Sequence, residues 1–192
     1  METYLLNLNS VASVVNAAKS IVKAIKTKLI LNAAFVQLQA DMMPAKERQS
    51  LKLPVETRWA SVILCLESLQ KNKNVLQTLA INDIGQTELE ANDRRHILDT
   101  DIFWIKVEKF TSLLQPIKKW IIKLQADTPN ISQVVEAFWK IRQQFEKEIP
   151  NSPLLKSEEG KVLDALSKKK NVPYSGSLCS EYPRSFSKGQ KP

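Results

Sequence analysis

Histidine, cysteine and carboxylate positions decide first which chemistry is open to this chain. Its one histidine, His96, sits in the charged run Asn92-Asp93-Arg94-Arg95-His96. A single imidazole with no patterned cysteine or carboxylate beside it completes neither a zinc cage nor a nucleophile–base pair, and His96 reads as an exposed loop residue. The two cysteines, Cys65 and Cys179, lie far apart, with Cys65 on an apolar helix face. That usage fits a reduced, intracellular protein rather than a disulfide framework. Glu88 with Glu90 and Glu158 with Glu159 are carboxylate pairs in polar stretches that no strand pattern frames, and they read as surface. None of the 4 glycines builds a phosphate-cradling loop. The chain therefore reads as a non-enzyme, with no catalytic residue, no metal ligand and no cofactor.

What remains is stacking and phosphate contact. Arg58-Trp59 puts a guanidinium beside a large aromatic at the first turn of a long amphipathic stretch. Trp59 reads either as a core anchor, with Arg58 solvated, or as a stacking platform for a base with Arg58 on phosphate. Lys19, Lys23 and Lys26 follow helical spacing opposite an apolar stripe, and Lys118, Lys119 and Lys123 cluster just past Pro116. Each set reads either as phosphate-contacting or as a solvated face. The formal net charge of +8 favours a polyanion partner, although 20 acidic residues dilute it.

Helices must position these groups. Few glycines and few alternating runs argue against a sheet, and 43% apolar residues suffice for a core, so the fold class is all-α. The first helix starts at Asn9, with Ser10 as its N-cap and Val11, Val14, Val15, Ala18, Val22, Ile25 and Leu29 on one face. Leu29 to Asp41 continues or restarts it, with Ala33, Ala34, Val36 and Leu38 apolar, giving helix over 10–38. A polar connector lies between Pro44 and Pro54. Thr57 caps the next helix, 58–80, where Trp59, Val62, Ile63, Leu66, Leu69, Leu76 and Leu79 recur, with a weaker match at Asn72-Lys73. Residues 82–90 read as a turn with Gly85 as C-cap or loop glycine. Helix 99–125 carries Phe103, Val107, Phe110, Leu114, Ile117, Ile121 and Leu124, capped by Asp99 or Asp101, with a kink or break at Pro116. Trp104 and Trp120 lie near its stripe. Helix 131–149 starts at Asn130 or Ser132, carries Val134, Val135, Phe138, Ile141 and Phe145, and stops at Pro150; Trp139 flanks its stripe. The chain divides into a helical region 1–150, a short amphipathic segment 151–170 with Val162, Leu163 and Leu166, and a tail 171–192 expected to be disordered. No apolar run is long enough to span a bilayer and no signal peptide is visible.

Two short motifs carry a family resemblance. Leu51-x-x-Pro54-x-Glu56-Thr57-Arg58-Trp59-x-Ser61, followed by Leu66-Glu67-Ser68-Leu69, resembles the Thr-Arg-Trp segment of hAT-superfamily transposases. Upstream, Leu6-Asn7-Leu8 matches the end of that family's Cys-x-x-His-x-Leu-Asn-Leu motif, with Met1 at the cysteine position and Tyr4 at the histidine position. The resemblance implies a helical insertion domain of an RNase H-like enzyme. It places the family's catalytic aspartates before Met1 and its glutamate past the end of the chain. It also implies that Trp59 stacks on an extruded base near DNA ends with Arg58 nearby.

Two functional readings follow. One is a truncated, catalytically inactive transposon-derived protein with weak, non-specific DNA binding and a nuclear location. The other is a helical protein–protein interaction module whose apolar surface takes a partner.

Overall fold

A computed structural model describes residues 8–55, 59–124, 131–152 and 154–168, less the side chains of residues 59, 124, 131–135, 138 and 165–168. The motif residues Leu6, Asn7, Thr57 and Arg58, the cap candidate Asn130 and the tail 171–192 lie outside that description. The described residues are all-α: α1 Asn9–Thr27, α2 Leu29–Met42, α3 Trp59–Lys71, α4 Lys73–Ile81, α5 Asp83–Glu88, α6 Ala91–Leu98, α7 Phe103–Leu124, α8 Ile131–Glu148, a 3-10 turn Ile149–Asn151 and α9 Lys156–Lys168. No strand occurs among them.

The apolar stripes read from spacing converge on one core. Val62, Ile63, Leu66 and Leu69 of α3 are buried against Val107, Phe110, Leu114 and Ile117 of α7, and Leu76 and Leu79 of α4 are buried in the same core. α1 lies across α3, α6 and α7 through Val11, Val14, Val15, Ala18, Val22 and Ile25. Phe145 of α8 and Val162 of α9 join the same cluster. Trp104 belongs to it too, its indole N–H donating to Ile97 O at 2.8 Å.

Two long helices are each split by one residue. Lys28 takes extended backbone (φ −90°, ψ 113°) and separates α1 from α2. No proline or glycine marks this point; Lys28 is instead anchored outside its own helix, its ammonium donating to Glu88 O at 2.6 Å. The break turns Leu29, expected on the buried stripe of α1, to 84% exposure. α2 then buries Leu31, Phe35 and Gln39, whereas Ala33 and Val36 face solvent. Of the expected apolar set, Ala34 and Leu38 pack against the core and Ala33 and Val36 do not, because polar and apolar residues are spread around α2 and periodicity selects no single face.

Asn72 splits the Thr-Arg-Trp helix at its weak apolar match. Its side-chain amide donates to Ser68 O (2.8 Å) and to Gln49 O (2.9 Å), while its carbonyl oxygen accepts from Gln39 Nε2 (2.6 Å). Ser68 Oγ accepts from Lys52 N at 3.0 Å. Asparagine competing for its own helix's carbonyls thus loosens one helix and clamps the connector that precedes it.

Further corrections concern caps and turns. Ser10 is not the N-cap of α1 but lies inside its first turn. Residues 83–88 form α5, with Asn82 Oδ1 capping the Gly85 N–H at 2.8 Å. Gly85 is inside that helix because α4 crosses so closely that a Cβ would stand 1.8 Å from Leu79 O. α7 is unbroken at Pro116. An interior proline costs about 3 kcal/mol, but the burial of Leu113, Leu114 and Ile117 around it returns about 1.5–3 kcal/mol each. Of the two cap candidates, Asp99 accepts from Ile102 N at 2.9 Å and Asp101 N at 3.2 Å, in the turn just before α7.

Candidate nucleic-acid interface

Trp59 opens α3, and Ser61 two residues on shapes the approach to it. The Ser61 hydroxyl accepts from Val55 N–H and donates to Val55 O, both at 2.9 Å, folding the connector back on the helix start. The side chain of Trp59, and Arg58 altogether, lie outside the described residues.

The lysines do not act as two uniform sets. On α1, Lys23 is exposed, whereas Lys19 is half-buried beside Cys65. Lys26 turns to the connector, its ammonium donating to Leu51 O at 3.3 Å. On α7, Lys118 is withdrawn into an ion pair with Glu67 of α3 at 2.6 Å, where Gln115 also donates to the same carboxylate. Lys119 and Lys123 are exposed.

Lys123 comes together with an aromatic that spacing alone put near the core stripe. Its ammonium is 4.5 Å from the centroid of the half-exposed Trp120 ring, and Lys140 of α8 reaches the same ring at 5.8 Å. Lys140 also pairs with Glu136 at 2.6 Å, and this hydrogen bond, then the lysine's charge, holds the exposed Glu136 carboxyl below its ordinary value. Trp139, next to Lys140, is 58% exposed. Lys140, with Trp139 beside it in the sequence, reaches the ring because α8 packs on α7. The sequence signal was their adjacency, a Trp-Lys pair resembling Arg58-Trp59 in kind.

Four further titratable groups are built into the packing. His96 is on α6, half-buried, its ring 5.3 Å from Phe103, not in an exposed loop. Asp93, expected in a charged surface run, is buried and accepts from Ser20 Oγ at 3.0 Å; burial raises its pKa against the pull of that bond. Burial likewise pushes the Cys65 thiol up to about 12. Glu158, read as surface, is buried and accepts from Ser10 N (3.2 Å), from the Ser10 hydroxyl and from Leu155 N (3.1 Å). Among the described residues no three His, Cys, Asp or Glu side chains come together to hold a metal, and no helix is long and apolar enough to cross a membrane. Comparison with protein-family models, curated proteins and solved structures finds no match for this chain.

Proposed function

We propose that this chain is a non-catalytic helical domain of hAT-transposase type that binds nucleic acid weakly and without sequence preference, with a nuclear location. The observation that carries the binding is the Trp120 ring with the ammonium groups of Lys123 and Lys140 at 4.5 and 5.8 Å. A half-exposed indole supplies a stacking surface, and the lysines supply counter-charge at the same place. Lys119 adds a third exposed cation one residue from the ring. The Glu136–Lys140 pair is solvent-exposed, and such pairs contribute about 0–1 kcal/mol, so a phosphate competes for Lys140 at little cost. The transposon origin rests on the Leu6-Asn7-Leu8 and Thr57-Arg58-Trp59 motifs and on the helical character of the stretch between them.

Fluorescence anisotropy with a labelled oligothymidylate tests this reading. Dissociation constants are expected at the weak end of about 10⁻⁴–10⁻⁶ M at physiological salt. Trp120→Ala should weaken binding by about 1–3 kcal/mol. Lys123→Ala and Lys140→Ala should each lower the salt slope by about 0.7, whereas Lys118→Ala, already paired, should leave it unchanged. Duplex binding tighter than single-strand binding, or a Trp120→Ala variant as good as the parent, would sink it. Trp59→Ala tests the motif separately: a loss on top of that from Trp120→Ala favours the transposase resemblance.

The aliphatic surface of α2, where Leu29, Ile30 and Val36 are exposed, favours a second reading, a helical protein–protein interaction module.

A further inference from the structure

α2 leaves Leu29, Ala33 and Val36 in solvent at four-and-three spacing, a single stripe along the helix, with Ile30 56% exposed beside it. At Val36 this stripe opens into a groove of about 310 Å³ between α1, α2 and the connector. Ile25, Phe35 and Leu51 floor the groove, and Lys26 and Arg48 line it without any carboxylate. Both cations are held by backbone carbonyls. Lys26 donates to Leu51 O at 3.3 Å, and Arg48 donates to Met43 O and Ala40 O at 2.9 Å each, closing the C-terminal end of α2. Their charge is thus fixed in position, and neither forms an ion pair with a carboxylate among the described residues.

Resting on the second reading above, we infer that this face docks an amphipathic peptide segment with aliphatic residues along one side and Asp or Glu carboxylates flanking them. Aliphatic anchors spaced by one helical turn match the Leu29–Ala33–Val36 stripe, and the carboxylates meet Lys26 and Arg48. A nucleic-acid strand would satisfy the cations but leave the stripe bare. The groove's one aromatic, Phe35, is buried and offers no base a stacking surface. A small amphiphile would lie in an open trough, where most of its chain stays wet, unlike the enclosed pockets such ligands occupy.

The test uses the full chain and a fluorescein-labelled helical peptide of leucine, alanine and glutamate, with leucines on one face and glutamates beside them. Saturable binding is expected, weakened about tenfold by Lys26→Glu and by Val36→Asp, and unchanged by Lys109→Glu in a separate groove lined by α7 and Asn151 and Ser152. Circular dichroism of each variant controls for folding. A peptide with lysines in place of the glutamates binding equally well overturns the acidic assignment and leaves the interaction-module reading standing. No binding by either peptide overturns both. Binding lost through Lys26→Glu but kept by Val36→Asp, with oligothymidylate displacing the peptide, overturns the proposal in favour of a nucleic-acid backbone.

Discussion

Glu158 shows how far one side chain reaches. α1 has no acidic residue in its first turn and no side-chain cap of its own. Glu158, 148 residues away on α9, supplies both by accepting from Ser10 at the positive end of the α1 dipole. Burial alone would raise its pKa, but hydrogen bonds from Ser10, Leu155 and Asn9 outweigh burial and lower it from 4.5. A carboxyl whose folded pKa is depressed contributes stability that is present above the unfolded value and lost as pH falls through the folded one. Glu158→Gln should therefore cost about 2 kcal/mol at pH 7, and the difference from the parent should shrink below pH 4.5. Urea unfolding across that range measures it; a gap independent of pH would remove the charge from the explanation. Asp93 has the opposite sign, since its raised pKa makes ionised Asp93 a cost as pH climbs through it. Cys65, buried and with its thiol at about 12, is inert as a nucleophile at neutral pH.

At the level of elements, the molecule is governed by how closely helices cross. α5 lies against the end of α4 with no room for a methyl group at Gly85, whose Cβ would stand 1.8 Å from a backbone oxygen rather than a flexible side chain. Gly85→Ala should then displace α5 and cost about 1–3 kcal/mol, although alanine is the better helix former by about 1 kcal/mol. A rise in thermal midpoint would show that α5 is free to move. Gly160 makes the contrast, lying in α9 with open space around it. The clamp of Gln39, Asn72 and Ser68 on residues 49–52 explains why a connector with two prolines has a fixed path. Ser61 extends this hold to Val55.

Across the whole molecule, one hydrophobic cluster runs from Leu8 to Val162. Helices that share a core of this kind unfold together. Thermal unfolding followed by far-ultraviolet circular dichroism and by tryptophan fluorescence should therefore give coincident transitions. Separate transitions would mean that α8 and α9 form an independent unit. Charge is distributed unlike the core. Lys118 and Lys28 pair with Glu67 and Glu88, while Lys123 and Lys140 meet at the Trp120 ring and Lys26 with Arg48 at a groove. The net charge of +8 is thus less informative than where each lysine lies and what it pairs with.

Local pattern was enough to read the all-helical fold and most of the buried stripes, because a 3.6-residue repeat is written into consecutive side chains and needs no partner to be legible. Val62 through Leu79, Val107 through Ile117 and Phe145 are buried as their spacing requires. Other features depended on groups distant in the chain. Lys28 leaves the helix toward Glu88, and Glu158 is drawn under α1. Lys140 arrives at Trp120 from the next helix. Such partners are chosen by packing, where a buried carboxylate must find donors and a helix such as α2, with apolar residues on more than one side, must turn one side or the other inward. Nothing in neighbouring residues encodes that choice, so the side α2 leaves exposed, and the groove beside it, became visible only in three dimensions.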